Sequence, residues 1–315
     1  MYLFYRILYT SISSYFELLE IFMIGYGSTV ALVTPMTSKG HLDWSALSRL
    51  IEFHIESGTQ NLVIAGTTGE SSTLSQSEHI EVIKRACEQA NGRIPIIAGT
   101  GSNSTAQTIE LSRAVSDLPI EGFLVVVPYY NKPTQAGLMA HFSSIADAVS
   151  KPVILYNVPG RTAVDMHNDT IVMLSNHPNI VAVKEASGDL SRLASLKTMV
   201  SDGFLLLSGD DETACDFMLQ GGHGCISVTA NVVPKEMRLL CNYAIGREHS
   251  EAKGLDQKLQ PLHQSLFLES NPIPVKYALK AMGLIDNGIR LPLTWLTKSN
   301  QNPIDQYLDK LKYIQ

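Results

Sequence analysis

The sequence lacks several features that mark particular classes of protein. Its four cysteines form no C-x-x-C pair and no zinc-ligand spacing, so we expect reduced, packed thiols in a cytoplasmic protein. No apolar run has the length of a membrane span. The net charge is -6 and there is no basic cluster, which argues against nucleic-acid binding. The nine histidines are scattered, and none forms a metal-binding pair on a helix face.

The composition is typical of a globular protein with a full core. Of the 315 residues, 45% are hydrophobic and 17% are charged. A chain of this length corresponds to one large α/β barrel or to two ordinary domains.

The first 22 residues differ from the rest and are interpreted as an N-terminal extension, residues 1–22. They are rich in Tyr, Phe, Leu and Ile, and they lack the small-residue cleavage site of a signal peptide. Two interpretations remain: a short amphipathic appendage, or translation from upstream of a true start at Met23. We favour the second, because recognisable organisation begins near Tyr26.

Eight apolar, strand-like runs follow, at residues 28–36, 61–66, 95–101, 122–130, 152–159, 180–187, 204–211 and 224–231. Helix signals separate them. Ser75 and Glu78 have the spacing of a capping box, Ser104 and Gln107 form a second such pair, and Gly221-Gly222 is a typical helix stop. Eight alternating units favour a closed (β/α)₈ TIM barrel over an open doubly wound sheet.

The catalytic barrel is predicted over residues 23–247, and a C-terminal helical region over residues 248–315. After Pro234 the pattern is all-helical, and it indicates about three helices with breaks near Gly246, Pro261, Pro272-Ile-Pro274 and Gly283. So few helices are expected to pack against the barrel and not to form an independent domain.

Functional groups of a TIM barrel lie at the carboxyl ends of its strands. In this sequence those positions carry two hydroxyls, three phenols, one lysine and one arginine, together with Asp210, Asp211 and Ile226. The former are Thr67, Thr68, Tyr129, Tyr130, Tyr156, Lys184 and Arg161. Their concentration on one rim favours a site for amine chemistry.

Lys184 is the unusual member of this set, because it ends an apolar run and lysine is rarely buried without a partner. A lysine nucleophile must lose its proton, and the desolvation of a barrel interior favours the neutral amine. Strand alternation directs the neighbouring Glu185 to the opposite face, among the helices, where we expect a structural ion pair.

Each group also has a structural explanation when it is taken singly. The alternatives are a packed ring at Tyr156, a strand end at Thr67 and Thr68, a surface residue at Arg161 and at His79, and a cap of the following helix at Asp210-Asp211.

Seven motifs connect the sequence to a known family. They are Gly66-Thr-Thr-Gly-Glu70, Val127-Pro-Tyr-Tyr-Asn131, Leu155-Tyr-Asn-Val-Pro-Gly-Arg-Thr162, Val183-Lys-Glu-Ala-Ser-Gly188, Leu207-Ser-Gly-Asp-Asp211, Gly221-Gly-His-Gly-Cys-Ile-Ser-Val-Thr-Ala-Asn231 and Asn271-Pro-Ile-Pro-Val-Lys276. On these motifs the chain resembles the 4-hydroxy-tetrahydrodipicolinate synthases (dihydrodipicolinate synthases) of lysine biosynthesis. That family belongs to the class I pyruvate aldolases, which are (β/α)₈ barrels. The resemblance runs from about Gly25 to the C-terminus.

The resemblance implies how the substrates bind. Lys184 would form a Schiff base with pyruvate, and Thr68 with the backbone at Ile226 would hold the pyruvate carboxylate. Arg161 would hold the carboxylate of the second substrate, L-aspartate 4-semialdehyde.

The resemblance also implies a proton relay and an assembly. Tyr156 would transfer protons together with Thr67 and with Tyr130 of a neighbouring subunit. The family forms homotetramers, built as dimers of dimers, and its reaction requires no cofactor or metal.

The sequence departs from the family at the effector site for L-lysine. Lysine-inhibited members use a serine-alanine pair, two histidines, an asparagine, a glutamate and a tyrosine, which match Ser71, Ser72, Gln76, His79, Asn103, Gln107 and Tyr129. Gln107 replaces the glutamate that pairs with the lysine ammonium group, although it is also the third residue of a capping box. Losing a charged partner costs about 1–3 kcal/mol, so we predict weak or absent feedback inhibition.

Other functions fit parts of the sequence. Another pyruvate-dependent aldolase, for N-acetylneuraminate or a 2-keto-3-deoxy sugar acid, would keep the lysine and the tyrosine. Arg161 and the Gly66-Thr-Thr-Gly motif favour a small carboxylated aldehyde instead. A barrel that binds pyridoxal phosphate would need a phosphate-binding glycine loop near the seventh and eighth strands, whereas Gly221-Gly-His-Gly224 is interpreted as a helix stop. A non-catalytic binding barrel does not explain a full set of reactive groups.

Overall fold

A computed structural model of the protein describes residues 24–312. The predicted extension and its alternative start at Met23 lie outside these residues. Eight parallel strands close into a barrel in chain order, which confirms the predicted TIM barrel. The strands are β1 (Gly27–Ala31), β2 (Asn61–Ile64), β3 (Ile96–Gly99), β4 (Gly122–Val126), β5 (Val153–Asn157), β6 (Ile180–Glu185), β7 (Leu205–Ser208) and β8 (Gly224–Ser227).

Helices follow the strands and form the outer layer. Within the described residues they are α1 (Trp44–Glu56), α2 (Gln76–Ala90), α3 (Thr105–Ala114), α4 (Gln135–Ala148), α5 (Pro159–Thr162), α6 (Asn168–Ser175), α7 (Ser191–Met199), α8 (Ala214–Leu219), α9 (Pro234–Ile245), α10 (His249–Ser265), α11 (Ile273–Ala281) and α12 (Lys298–Lys312). Short 3₁₀ turns lie at Ser71–Thr73 and Thr229–Asn231. No helix of this part of the chain is both long and apolar enough to cross a bilayer.

One of the two predicted capping boxes forms completely. The Ser75 hydroxyl accepts the Glu78 N–H, and the Glu78 carboxylate accepts the Ser75 N–H at 2.9 Å. The second prediction is only half right. Ser104 Oγ accepts the Gln107 N–H at 3.4 Å, but the side-chain oxygen of Gln107 accepts the Ser102 hydroxyl at 2.9 Å instead of the backbone N–H of Ser104. Competition from a neighbouring hydroxyl therefore breaks the reciprocal bond.

The ends of the later helices agree with the sequence prediction only in part. Helix α8 stops before Gly221-Gly222, as predicted, and Gly221 has a φ of 106°. The break predicted at Pro261 is wrong, because this exposed proline lies inside α10. Leu259 and Leu262 stay buried on the inner face of α10, so their packing outweighs one missing hydrogen bond. Four helices follow β8, not three.

The core has two layers, as the barrel fold requires. The outer layer lies between the strands and the helices and contains most of the apolar side chains. The inner layer fills the barrel and takes at least one residue from every strand: Ala31, Val63, Ile97, Leu124, Ile154, Ala182, Leu205 and Ile226. The functional groups at the carboxyl ends of the strands therefore lie above a packed apolar layer that fills the barrel.

The C-terminal helices pack against the barrel and against each other. Helix α9 contacts β1, α10 contacts α8 and α9, and α11 contacts α12. A fully buried ion pair joins Lys276 of α11 to Glu70, in the loop after β2. The predicted boundary at residue 247 falls in the turn between α9 and α10, and the division into barrel and helical region stays a prediction.

Candidate active site

The register of two neighbouring strands places Tyr156 beside Lys184. Val153 of β5 pairs with Ile180 of β6. Three residues further along β5, Tyr156 pairs with Lys184, which lies four residues further along β6, because β6 contains a bulge of one extra residue. Regular pairing would have brought Val183 opposite Tyr156. The bulge therefore sets both reactive side chains on one face, and Lys184 Nζ lies 4.3 Å from the centroid of the Tyr156 ring.

Lys184 points into the barrel at its carboxyl end. It lies two residues after Ala182, which belongs to the inner core layer, and residues at this spacing share a strand face. Lys184 is only 5% exposed. No ion pair among the described residues holds its amine. The Nζ atom is thus available to a carbonyl carbon in the barrel mouth.

Gly209 provides the space for this lysine, a role that the sequence analysis missed. A methyl group added at Gly209 would lie 2.6 Å from Lys184 Cε and 2.7 Å from Ala186 Cβ. Such distances are too short for real contacts, so only glycine fits beside the lysine stem. The signal was available, since this glycine directly follows β7 and sits next to the lysine strand.

Glu185 has the structural role that strand alternation predicts. It is buried on the outer face of the barrel, where its carboxylate lies 3.1 Å from Arg192 Nε. It also accepts hydrogen bonds from the Ser187 N–H at 2.8 Å and from the Asn157 amide at 3.1 Å. The carboxylate is therefore occupied away from the barrel mouth.

The loop after β2 brings Thr67 and Thr68 to the rim. Thr68 is 2% exposed, and its Oγ1 accepts a hydrogen bond from the Asn271 side-chain amide at 3.0 Å. Thr67 is half-buried and lines a cleft at the rim. Among the described residues, no hydrogen bond joins the Tyr156 hydroxyl to Thr67 or to Tyr130, so the proton relay stays a prediction.

The loop after β4 presents Tyr130 to solvent. The side chain is 88% exposed, and the backbone has a φ of 73°, in the left-handed region. A bulky residue in that region is strained unless its surroundings require it. Tyr129, beside it, is 37% exposed, and its carbonyl accepts a hydrogen bond from the Asn103 amide at 3.1 Å.

The end of β8 is held by Asp211. The pairing of β8 with β7 stops at Cys225, one residue before Ile226. Asp211 Oδ2 then accepts the N–H groups of Val228 and Thr229, each at 2.9 Å.

The helix cap predicted at Asp210-Asp211 is therefore wrong. Asp211 is buried, and its carboxylate accepts backbone N–H groups of the turn after β8. The Asp210 carboxylate accepts a hydrogen bond from the Thr213 hydroxyl at 2.6 Å. Helix α8 begins without a side-chain cap.

A cleft of about 540 Å³ connects the rim to the residues matched to the lysine effector site. Arg161 lines the cleft, and so do Ser71, Ser72, Gln76, His79, Gln107, Glu110 and Tyr129. Asn103 does not line the cleft. Gln76 Nε2 donates to the Glu110 carboxylate at 3.1 Å, so a carboxylate is present one helical turn after Gln107. The sequence analysis missed this residue.

His79 is not the surface residue that one alternative expected. It is 6% exposed, and its Nε2 lies 2.7 Å from the Gly99 carbonyl at the end of β3. Burial lowers the pKa of His79, and this contact with Gly99 opposes the shift. The surface interpretation of His79 is wrong because this face of α2 is covered by the end of β3.

A barrel that holds a buried lysine against a tyrosine at the carboxyl ends of its strands defines a lysine-dependent enzyme of the aldolase type. The model of the dihydrodipicolinate synthetase family matches residues 25–311. The chain belongs to this family.

Known relatives resemble the chain over nearly their whole length. The 4-hydroxy-tetrahydrodipicolinate synthase of Stutzerimonas stutzeri (strain A1501) is 56% identical over 280 residues, which are 89% of this chain and 96% of that protein. The chloride inhibited dihydrodipicolinate synthase from Acinetobacter baumannii, crystallised with pyruvate, is 54% identical with a TM-score of 0.89 and covers 90% of this chain and 98% of its own. The enzyme from Cyanidioschyzon merolae with lysine bound is 38% identical with a TM-score of 0.87, over 90% and 97% of the two chains.

Proposed function

We propose that the protein condenses pyruvate with L-aspartate 4-semialdehyde to 4-hydroxy-tetrahydrodipicolinate, a step of diaminopimelate and lysine biosynthesis. The observation that carries this proposal is the buried Lys184 amine, 4.3 Å from the Tyr156 ring in the mouth of the barrel. Family membership supports the choice of substrates over the sugar acids of related aldolases.

The chemistry follows from the amine. Lys184 Nζ attacks the ketone carbon of pyruvate, and loss of water gives an imine. The imine withdraws electrons, so a proton leaves the methyl carbon and an enamine forms. The enamine carbon then bonds to the aldehyde carbon of the semialdehyde, whose oxygen takes up a proton. The amino group of the semialdehyde finally attacks the imine carbon, closes the ring and releases the Lys184 amine.

Separate groups bind the two carboxylates in this proposal. Thr68, in the loop after β2, and the backbone at Ile226, in β8, bind the pyruvate carboxylate, because both lie at the carboxyl end of the barrel, as does Lys184. Arg161 binds the carboxylate of the semialdehyde from the loop after β5. Tyr156, adjacent to Lys184, transfers protons to and from the reacting oxygens.

We infer that Thr67 and Tyr130 complete the relay, the latter from a neighbouring subunit of a homotetramer. The exposure and the left-handed backbone of Tyr130 support this inference, since a second copy would supply the contacts that its own chain does not provide. Sedimentation analysis tests the assembly: we expect a tetramer, and a fully active monomer would contradict the shared relay. A cytoplasmic location stays a prediction from the cysteine content.

Borohydride trapping tests the mechanism directly. Reduction in the presence of pyruvate should fix an adduct on Lys184, identified by peptide mass mapping, and Lys184→Arg should abolish it. An adduct on another residue, or none, would refute the proposal. Turnover with aspartate semialdehyde but not with N-acetylneuraminate or 2-keto-3-deoxy sugar acids separates the proposed function from its relatives.

A further inference from the structure

Asn271 belongs to the C-terminal region but contacts two residues of the barrel rim. Its side-chain Nδ2 donates to Thr68 Oγ1 over 3.0 Å, and its backbone carbonyl accepts a hydrogen bond from Arg161 Nη2 over 3.3 Å. Asn271 is 6% exposed. In the proposed function, Thr68 binds the pyruvate carboxylate and Arg161 binds the carboxylate of the semialdehyde. The inference rests on that function.

The bond from Asn271 determines what the Thr68 hydroxyl can do. A threonine hydroxyl has one proton to donate and two lone pairs to accept with. Asn271 Nδ2 occupies one lone pair of Thr68. No described residue accepts the Thr68 proton, so this proton is free for a bound anion.

We propose that Asn271 is a positioning residue, which fixes the Thr68 hydroxyl as a donor to the pyruvate carboxylate. Without the amide, the hydroxyl would rotate among its staggered positions and would donate to water in some of them. With the amide in place, one acceptor direction is taken and the proton is turned towards the ligand. The effect belongs to pyruvate binding and not to the semialdehyde.

A second contact holds the segment around Asn271 against the loop after β2, which carries Thr68. Lys276, five residues after Asn271, forms a buried ion pair with Glu70, two residues after Thr68. Lys276 Nζ also donates to the Gly288 carbonyl at 2.8 Å. The contact between Asn271 and Thr68 therefore sits next to a second, charged connection and has little freedom to separate.

The reverse orientation of the Asn271 amide makes the opposite prediction. Asn271 Oδ1 is buried and has no hydrogen-bond partner among the described residues. If Oδ1 faced Thr68 instead, it would accept the hydroxyl proton and withdraw it from pyruvate. Asn271→Asp imposes this second arrangement, because a carboxylate only accepts.

The test measures pyruvate binding without the second substrate. In the full-length protein, the pyruvate concentration that half-saturates borohydride trapping on Lys184 is compared for wild type, Asn271→Ala and Asn271→Asp. We expect it to rise about fivefold for Asn271→Ala, the loss of one modest hydrogen bond, and about 20-fold for Asn271→Asp, which adds charge and diverts the proton. In a Thr68→Val background, the increase caused by Asn271→Ala should vanish and that caused by Asn271→Asp should shrink.

The steady-state assay supplies a second, independent measure. The KM for the semialdehyde should change less than about twofold in both variants, because Arg161 bonds to the backbone carbonyl that every variant keeps. The matched control is Glu269→Ala, which removes hydrogen bonds to Thr297 and Asn300 in the same region. It should lower Tm without changing half-saturation by pyruvate.

The outcomes separate this inference from the proposed function. If the wild type traps no pyruvate, the proposed function fails. If the wild type traps pyruvate and Asn271→Asp half-saturates like the wild type, or if the pyruvate effects follow Tm in all variants including Glu269→Ala, the positioning role is refuted.

Discussion

The buried ion pair between Lys276 and Glu70 gives the largest stability effect that we expect from a single substitution. Both side chains are fully buried, and the Arg290 N–H is a further donor to Glu70, at 3.2 Å. Desolvation lowers the pKa of Lys276, and the neighbouring Glu70 carboxylate opposes the shift. Lys276→Met would leave the carboxylate buried without its cation, which costs about 3–5 kcal/mol.

Thermal unfolding at a fixed protein concentration measures this cost. At roughly 2 °C per kcal/mol for a chain of this size, Lys276→Met should lower Tm by about 6–10 °C. The double variant Lys276→Met with Glu70→Gln should recover most of the loss, because it removes the buried charge and keeps an acceptor for the Arg290 N–H.

The matched control makes the same change in an exposed pair. Lys253 lies 2.5 Å from Asp216, with side chains 48% and 44% exposed, so Lys253→Met should change stability by less than about 1 kcal/mol. The reasoning is refuted if Lys276→Met costs no more than Lys253→Met, or if the double variant is as unstable as the single one.

Three further predictions follow from other features. Gly209→Ala should lower kcat about 100-fold by displacing Lys184. The control Gly254→Ala should leave steady-state rates unchanged, because a methyl group added there meets nothing within 4 Å, and equal rates for the two variants would contradict the packing argument. L-Lysine should inhibit weakly or not at all, because Gln107 is neutral and the Glu110 carboxylate in the same cleft already accepts a hydrogen bond from Gln76; half-inhibition at sub-millimolar lysine would overturn this. Burial lowers the pKa of His141 to about 4, so its contribution to stability is complete above about pH 6.5 and is lost as the pH falls towards 4. The free energy of unfolding, measured between pH 7 and 4, should fall less steeply in His141→Gln than in the wild type, and identical curves would contradict this prediction.

The sequence predicted the barrel well because its signals are local. Each strand is an apolar run, several of the helices between them have a start or a stop signal, and the spacing of the runs gives eight units. The same reasoning placed Lys184 at the rim, since a residue at a strand end needs no knowledge of distant contacts. It also directed Glu185 to the outer face, where the structure pairs it with Arg192.

The missed features depend on contacts between distant segments. The roles of Asp211 and Asn271 are set by partners 17 and 203 residues away, and no helix or strand pattern reports such a distance. His79 was misjudged because the residue that covers it, Gly99, comes from another unit of the barrel. The bulge in β6 that aligns Tyr156 with Lys184 also leaves no local mark, because regular and bulged strands share one apolar composition.

The contact between Glu70 and Lys276 has a consequence for how the protein is made. The two residues are 206 positions apart, so a growing chain on the ribosome exposes the Glu70 carboxylate long before its partner has been synthesised. The eighth strand is complete at Ser227, so all eight strands have been synthesised while Lys276, the partner of Glu70 in the loop after β2, is still missing. Pyruvate binding should therefore appear only after residue 276 has been synthesised, and we expect a chain that ends before this residue not to trap pyruvate.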